Sequence, residues 1–375
     1  MHHIFRTGTK IKLSSWLLLA LCVAMFPVVG LGAPPGGPPR GHGGGGGGGG
    51  GSTETATTPS GQTSTFSGQA TVVDATVLGI ERVVLSDTGP LPPSGGALEA
   101  SLLNVNVPGL LTAEVLHAST IGQGNQSRSE ASVANLNLTV GNNTITADFL
   151  MARARAVCTH SGPTVSGNSE IVGLVINGQP IIVTGEPNQT VLLPLGTGRV
   201  VINEQSSPDD SAITVNALHV VVTNVADVVI SSAHADVTCN GQPVCQGGDF
   251  VTGGGWITGT PSGARGNFGV AGGVKGGAFW GHLQYIDHGD GMHVKATSIT
   301  GYEVVFDATN NATTARRITG TAEIDGQGGF TFDVTVADNG EPGRHDTFEI
   351  TLSPGDYKAS GTLAGGNIQL HRPCQ

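Results

Sequence analysis

The feature that most constrains the fold of this chain is a succession of short strand-like runs separated by turn residues. The runs follow one another about every eight to twelve residues, with Gly, Asn or Pro between them. Apolar and polar side chains alternate in FTFDVTV (330–336) and again in DTFEITL (346–352). In IVGLVINGQPIIV (171–183), the central Asn177-Gly178 pair suits the two positive-φ positions of a tight hairpin turn. The pattern predicts an all-β fold of antiparallel sandwich or barrel-like domains.

Composition supports this fold class and narrows the choice of partners. Gly accounts for 60 of the 375 residues, whereas charged residues make up 12% and aromatic residues 5%. Many turn residues with few charges are typical of β modules rather than of a helical enzyme. The formal net charge of −11 repels nucleic acid and anionic lipid, so neither is an expected partner.

The first 32 residues have the pattern of a secretory signal peptide. Basic residues precede position 13, an apolar run fills 16–29, and small residues lead to a cleavage position after Gly32. A retained membrane anchor is the alternative, although the run is short for a span and contains Pro27. No other stretch is apolar enough to span a bilayer, and the C-terminal residues lack the apolar tail of a sorting signal. We therefore expect a secreted, extracellular or cell-envelope protein with no stable membrane span after processing.

Composition divides the remaining chain into a linker and two blocks. Residues 33–65 are rich in Gly, Pro, Ser and Thr, which predicts a flexible tether. Residues 66–245 form a predicted first β-domain without Lys, Trp or Tyr, whereas residues 246–375 form a predicted Gly-rich second β-domain with all three Tyr. Because edge lysines commonly guard against strand pairing between molecules, the Lys-free first domain makes self-assembly through strand edges a further hypothesis.

Four cysteines remain once Cys22 has left with the signal peptide: Cys158, Cys239, Cys245 and Cys374. An even number of cysteines in an exported chain predicts two disulfides. A four-cysteine zinc site is the alternative, but the paired C-x2-C spacing that such sites use is missing.

An internal similarity bears on how these cysteines pair. Residues 135–158 align without a gap on 216–239, both segments are predicted hairpins, and each ends in a cysteine. If the similarity is structural, the two terminal cysteines pair with each other, which leaves Cys245 to pair with Cys374. A short loop closed by Cys239 and Cys245 is the alternative.

One polar loop of the second domain is a candidate cation site. Asp287, His288, Asp290 and His293 lie between two strand-like runs. Imidazole and carboxylate groups bind Zn²⁺, but a Ca²⁺ loop needs about six to eight oxygens, and its usual spacing is missing. The Gly and Asp residues of this loop also suit a plain hairpin turn. We expect the turn and no cofactor, and keep a Ca²⁺ or Zn²⁺ site as the alternative.

A second polar loop, DNGEPGRHD (338–346), carries three carboxylates, Arg344 and a histidine. Two carboxylates that face each other across a cleft could form a glycosidase-type pair. We expect instead a long hairpin loop in which Arg344 braces the carboxylates through charge-assisted hydrogen bonds.

Three aromatic residues, Trp256, Trp280 and Tyr285, are candidates for a platform that stacks on the apolar faces of sugar rings. Burial in a hydrophobic core is the alternative for all three. The sequence contains no nucleophile elbow, zinc-protease helix or phosphate-binding loop pattern, so we assign no catalytic residue.

Several of these motifs resemble one known family. FVTGGGWI (250–257), DNGEPGRHDTF (338–348) and ASGTLAGGNIQLH (359–371) resemble the glycine-rich β-domain that follows the choice-of-anchor P region in exported bacterial proteins. The preceding block, from SGQA at Ser67 to the AHADVTC strand that ends at Cys239, resembles the choice-of-anchor P region itself. The resemblance implies an exported, non-enzymatic module of unknown activity and supplies no catalytic residues. Family members carry C-terminal surface-sorting signals, and this sequence departs from them by having none.

We therefore expect an exported structural or binding protein of adhesion type, without catalytic activity, that recognises an extracellular glycan or an envelope protein. The alternative is a secreted hydrolase or a metal-dependent enzyme that uses the His and Asp loops of the second domain. A single cleft lined by both 287–293 and 338–346 would favour the enzyme.

Overall fold

The computed structural model describes residues 64–240, 248–307 and 312–372, and all of these belong to one compact unit. The predicted signal peptide and nearly all of the predicted linker lie outside the described residues. Within the described part of the chain, no helix is long and apolar enough to cross a membrane.

The predicted all-β fold is confirmed. The described residues form 22 strands that pair in antiparallel fashion, and their helical segment is a 3-10 turn at Pro194–Gly196. In chain order the strands are β1 (Thr65–Val77), β2 (Ile80–Asp87), β3 (Gly96–Val107), β4 (Leu111–Gln123), β5 (Gln126–Val140), β6 (Asn143–Thr159), β7 (Gly162–Val172), β8 (Val175–Ile176), β9 (Gln179–Pro180), β10 (Gln189–Leu192), β11 (Gly198–Asp209), β12 (Ala212–Val222), β13 (Ala226–Thr238), β14 (Phe250–Ile257), β15 (Gly266–Lys275), β16 (Ala278–Asp287), β17 (Met292–Asp307), β18 (Ala312–Ile324), β19 (Gln327–Ala337), β20 (Thr347–Ser353), β21 (Lys358–Thr362) and β22 (Gly365–His371).

The strands form three sheets. A six-stranded sheet has the order β10-β11-β12-β13-β1-β2, and a seven-stranded sheet has the order β3-β4-β5-β6-β8-β9 with β7 also paired to β6. A nine-stranded sheet has the order β21-β20-β19-β18-β17-β16-β15-β14-β22. The first two sheets use residues of the first block together with Thr65 at the end of the predicted linker, and the nine-stranded sheet uses only residues of the second block.

The six- and seven-stranded sheets pack face to face as a sandwich. Inward-facing side chains of both sheets meet in one cluster of buried Val, Leu, Ile and Ala residues, among them Val72, Leu136 and Val220. Cys158, near the end of β6, forms a disulfide with Cys239, which follows β13, and so ties the two sheets together. Apolar burial and the crosslink therefore hold β6 in place.

The Cys158–Cys239 disulfide is the pairing that the internal similarity predicted. It shows that the alternative loop between Cys239 and Cys245 is wrong, because Cys239 already has its partner. Cys245 and Cys374 lie outside the described residues, so their pairing stays a prediction.

The two similar hairpins share their architecture but not their register. β5 and β6 turn after Val140, which pairs with Asn143, whereas β12 and β13 turn after Val222, which pairs with Ala226. If the offset of 81 residues between the two cysteines held along the whole hairpin, the turn of the second hairpin would lie between positions 221 and 224. The gap-free alignment is therefore wrong for the first strand, because the second hairpin has a longer turn.

The predicted hairpin at Asn177-Gly178 is confirmed, although its strands are short. β8 and β9 pair through Ile176 and Gln179, and the two turn residues have φ angles of 51° and 76°. Both angles lie in the left-handed region, which Asn and Gly adopt at less cost than other residues.

The nine-stranded sheet curls around a second core. β15 and β20 stand five positions apart in the sheet, yet Phe268 of β15 stacks on Phe348 of β20 with ring centroids 4.0 Å apart. Since neighbouring strands are about 4.8 Å apart, a flat sheet would separate these rings by roughly 24 Å. The curvature brings the apolar faces of β15, β18, β19 and β20 into one buried cluster.

The outer face of the seven-stranded sheet packs against the nine-stranded sheet through mainly polar side chains. Two glycines permit the close approach: a Cβ on Gly254 would lie 2.6 Å from Ser132 Oγ, and one on Gly269 would lie 3.2 Å from the Cβ of His117. At this interface His117 Nδ1 and His282 Nε2 are 3.1 Å apart and share a hydrogen bond. The two blocks thus meet directly, and a cleft opens along the edge of their junction.

Candidate functional site

The candidate site is this cleft, which encloses about 270 Å³. Its floor is the outward face of β5, β6 and β7. In the first cross-strand row, Arg128 of β5 lies opposite Arg155 of β6, and Arg155 lies opposite Ser166 of β7. All three residues line the cavity, so two guanidinium groups stand side by side at its floor.

A second row lies two residues further along the same face. Glu130 lies opposite Arg153, and Arg153 lies opposite Asn168. Arg153 donates hydrogen bonds from Nη2 to Glu170 Oε2 at 2.9 Å and from Nη1 to the carbonyl oxygen of Pro342 at 3.0 Å. This third guanidinium is therefore fixed between the floor of the cleft and its opposite wall.

Simple alternation along β6 explains why two arginines face the cleft. In the segment MARARA (151–156), Ala152, Ala154 and Ala156 are buried in the sandwich core. Because successive side chains of a strand point to opposite faces, Arg153 and Arg155 both point away from that core.

The opposite wall of the cleft is the loop 338–346 between β19 and β20. Asp338 and Asp346 hold its two ends, since they accept hydrogen bonds from the backbone N–H groups of Leu370 and Ile368, each at 2.8 Å. Both donors belong to β22. The loop is therefore anchored on the strand that borders the cleft.

The expectation that Arg344 braces this loop is wrong. Glu341 pairs instead with Arg128 across the cleft, with 3.4 Å between Oε1 and Nη2, and its Oε1 also accepts a hydrogen bond from Gln369 Nε2 at 3.4 Å. The aspartates at the loop ends bind backbone amides because β22 lies directly beside them. Arg344 is exposed and lines an adjoining cavity.

Like charges dominate the electrostatics of the cleft. Arg128 and Arg155 face each other in register, and such pairs are destabilising in a sheet. Burial and, after it, the Arg128 guanidinium lower the pKa of Arg155, while Glu341 opposes them. Glu341 is a single carboxylate, 44% exposed, beside two guanidinium groups. The cleft thus carries local positive charge in a chain whose net charge is −11.

Glu130 lies behind the cleft and does not cancel that positive charge fully. It is 2% exposed, and its Oε2 accepts hydrogen bonds from Asn367 Nδ2 at 3.2 Å and Gln369 Nε2 at 3.4 Å. Burial raises the pKa of this carboxyl to about 7, against the opposing effect of Arg153. Glu130 is therefore partly protonated at neutral pH.

The predicted cation loop forms a hairpin turn between β16 and β17, which pair through Asp287 and Met292. Asp287 is fully buried and accepts hydrogen bonds from the hydroxyl of Tyr357 at 2.7 Å and the N–H of Gly289 at 2.8 Å. Asp290 stands exposed at the tip of the turn.

The two histidines of that turn contact different neighbours. His288 Nε2 lies 3.0 Å from Asn267 Nδ2 and 3.5 Å from Glu114 Oε2, whereas His293 Nδ1 lies 3.2 Å from Asn104 Nδ2. Across the described residues, no group of three or more His, Cys, Asp or Glu side chains is arranged to hold a metal ion. The four candidate ligands thus stand apart, and the histidines link the turn to the first block.

The three candidate stacking residues do not form one platform. Tyr285 is fully buried in the second core. Trp256 lies under the guanidinium of Arg265, 4.5 Å from its ring centroid, and Trp280 packs beside Phe250 with centroids 5.6 Å apart. The register of β14, β15 and β16 places the two tryptophans six residues apart along the sheet, roughly 20 Å at 3.3 Å per residue.

The two polar loops of the second domain line different cavities. Glu341 and Pro342 line the cleft that holds Arg128, Arg153 and Arg155, which we call the arginine cleft. Gly291 and His293 line an open cavity of about 260 Å³ beside β17. Among the described residues, these loops therefore do not form the single shared cleft that would favour a hydrolase.

Arg128, Arg153 and Arg155 were not among the site residues predicted from the sequence. The alternation in MARARA was a usable signal, because two arginines separated by one small residue on a strand share a face. The partner of Arg128 is Glu341, 213 positions further along the chain, so the cleft itself leaves no local pattern in the sequence.

No protein-family model matches this sequence, and no curated protein matches it either. Among solved structures, the chain is similar to kievitone hydratase from Nectria haematococca, with 8% identity, 81% of this chain and 88% of that chain covered, and a TM-score of 0.20. It is also similar to a Nitrosomonas europaea protein provisionally named AttH, with 8% identity, 82% and 93% covered, and a TM-score of 0.19. At TM-scores this low, the likeness supports no statement about fold or function.

Proposed function

We propose that this protein is an exported binding protein without catalytic activity, and that the arginine cleft takes an anionic ligand. The observation that carries the proposal is the cross-strand pair of Arg128 and Arg155, which a cavity exposes to solvent. The Cys158–Cys239 disulfide supports an oxidising environment outside the cytosol, as does the resemblance to exported choice-of-anchor P proteins.

An anion bound beside Arg128 and Arg155 would relieve the repulsion between their two guanidinium groups. Two guanidinium groups present planar forks of N–H donors, which match carboxylate, sulfate or phosphate oxygens. Glu341 supplies one carboxylate from the far wall, but only one of its oxygens lies within 3.4 Å of Arg128. A ligand anion placed beside Arg155 would complete the charge balance of the row.

Binding is favoured over hydrolysis by the state of the acidic groups in the cleft. Glu341 is paired with Arg128 and Glu170 with Arg153, so both carboxylates already have guanidinium partners. The general acid of a glycosidase must reach the glycosidic oxygen, and Glu130, whose pKa burial raises, is 2% exposed and does not line the cleft. The hydrolase alternative would also need the 287–293 loop, which lines another cavity.

The test is calorimetric titration of the full chain with sodium D-galacturonate and, separately, with sodium sulfate in a low-salt buffer at neutral pH. We expect binding that weakens in about 0.5 M NaCl, because exposed charges are screened over a few ångströms at that ionic strength. Arg155→Gln should weaken binding by about tenfold or more, since it removes one charge-assisted fork.

The matched control is Arg199→Gln, which removes the same charge from an exposed position on β11. This variant should bind like the unaltered protein. Arg155→Gln should also melt no lower than the unaltered protein, because it removes a like-charge pair. Absence of binding to either anion, or equal binding by both variants, would contradict the proposal.

A further inference from the structure

A second cavity of about 410 Å³ adjoins the arginine cleft. Arg153, Asn168 and Pro342 line both cavities, and the hydrogen bond from Arg153 Nη1 to the carbonyl oxygen of Pro342 lies at their shared boundary. We call the two adjoining cavities along β7 the trough, and a ligand that occupies both lies across this contact. The second cavity adds Glu170 and Arg344. Together the cavities fall in the range of roughly 300–1,000 Å³ that is typical of ligand sites.

The length of the trough sets a minimum size for a ligand that fills it. Ser166 lines the first cavity and Glu170 lines the second, and both belong to the same strand. At about 3.3 Å per residue, these positions lie roughly 13 Å apart. That distance is longer than one hexose ring, so a single small anion would fill only one end.

The trough combines cationic groups with hydrogen-bond acceptors. Arg128, Arg155 and the carboxylate of Glu341 line the first cavity, whereas the carboxylate of Glu170 and exposed Arg344 line the second. An ionised carboxylate can only accept hydrogen bonds. A polyanion without hydroxyl groups would meet repulsion from both carboxylates, whereas a ligand with hydroxyl groups could donate to them.

Part of the wall of the second cavity is formed by Ala364, Gly365 and Gly366, which carry small side chains or none. At Gly365 a Cβ would lie 2.3 Å from Trp256 Nε1 and 2.9 Å from Glu170 Oε1, so glycine lets the backbone approach both groups. Such a surface can approach the C–H face of a sugar ring closely.

We propose that the trough binds an acidic oligosaccharide of at least two sugar units. One sugar carboxylate lies between Arg128 and Arg155, a second lies near Arg344, and the ring hydroxyls donate to Glu341 and Glu170. This inference rests on the proposed anion-binding function and adds the class and length of the ligand.

The experiment titrates the full chain with galacturonate, digalacturonate and tetragalacturonate, and with tripolyphosphate as a polyanion without hydroxyl groups. We expect affinity to rise by about tenfold or more from the monomer to the tetramer, because the second carboxylate gains its own charge-assisted contacts. Tripolyphosphate should bind more weakly than tetragalacturonate.

One variant tests the far end of the trough, and a second tests the carboxylate that accepts hydrogen bonds from the ligand. Arg344→Gln should lower affinity for tetragalacturonate without changing affinity for the monomer, and Arg199→Gln is the charge-matched control. Glu341→Gln should strengthen tripolyphosphate binding, since it removes a repelling charge, and should not strengthen tetragalacturonate binding.

The results would distinguish the acidic-oligosaccharide inference from the anion-binding proposal on which it rests. Equal affinity for the monomer and the tetramer, or tighter binding of tripolyphosphate than of tetragalacturonate, would overturn the acidic-oligosaccharide inference while leaving an anion site in place. If none of the four ligands binds, the anion-binding function itself fails.

Discussion

Replacing Glu130 by glutamine should stabilise the protein at neutral and alkaline pH, but not in acid. Glu130 is 2% exposed, and burial raises the pKa of its carboxyl from 4.5 to about 7. A folded-state pKa above the unfolded value means that the folded protein holds this proton more tightly. The carboxyl therefore carries no penalty below about pH 4.5, and it destabilises the fold progressively as pH rises through 7.

The magnitude follows from the pKa difference. Each unit corresponds to 1.36 kcal/mol, so the ionised carboxylate costs about 3 kcal/mol above pH 7. Glutamine has the same shape and no charge. Its carbonyl oxygen can accept the hydrogen bonds that Asn367 Nδ2 and Gln369 Nε2 now donate to Glu130 Oε2. Glu130→Gln should therefore recover up to about 3 kcal/mol at pH 8.5, or roughly 6 °C in Tm.

The assay is urea unfolding of the full chain and the variant at pH 8.5 and pH 4.5. The variant should be more stable at pH 8.5, and the two proteins should be nearly equal at pH 4.5. The matched control is Glu99→Gln. Burial raises the pKa of the Glu99 carboxyl, but the charge and hydrogen bond of His282 lower it by more, so the net shift is downward. This control should destabilise the protein at neutral pH. A Glu130→Gln variant no more stable than the unaltered protein at pH 8.5, or a gain of equal size at both pH values, would refute the reasoning.

Two further predictions concern the two cores. Replacing Cys158 and Cys239 together by serine should lower the free energy of unfolding by about 4 kcal/mol, because the disulfide closes a loop of 81 residues, and urea unfolding at neutral pH would show it. A loss below about 1 kcal/mol would mean that the crosslink hardly restrains the unfolded chain. Phe348→Ala should lower the free energy of unfolding by about 3–5 kcal/mol, because Phe348 is fully buried and stacked on Phe268. Phe279→Ala, at a half-exposed position, should lower it far less in the same urea unfolding experiment.

Strand periodicity and turn chemistry are local properties, which is why the sequence alone determined them. The alternating run at 330–336 falls within β19, the run at 346–352 falls within β20 except for Asp346, and Asn177-Gly178 forms its tight turn. The similarity of the two segments that end in cysteine predicted the Cys158–Cys239 bond, which the structure confirms over the alternative loop between Cys239 and Cys245. In each case the prediction rested on residue types at a fixed spacing. The interacting residues were either close in sequence or at equivalent positions of two similar segments.

The candidate site could not be predicted in this way, because its charges are assembled across the chain. The loop 338–346 was expected to satisfy its carboxylates with its own Arg344, but packing of the two blocks supplied Arg128 and the backbone of β22 instead. Sequence spacing cannot distinguish an internal partner from a distant one of the same charge.

The all-β class and the Asn177-Gly178 turn could thus be predicted from the amino-acid sequence, and the internal similarity favoured the disulfide that forms. Which polar residues meet depended on how the two blocks pack, because strand alternation sets the face of a side chain but not what packs against that face. Arg153 and Arg155 had to point away from the sandwich core, and the polar junction with the second block turned that outward face into a charged cleft.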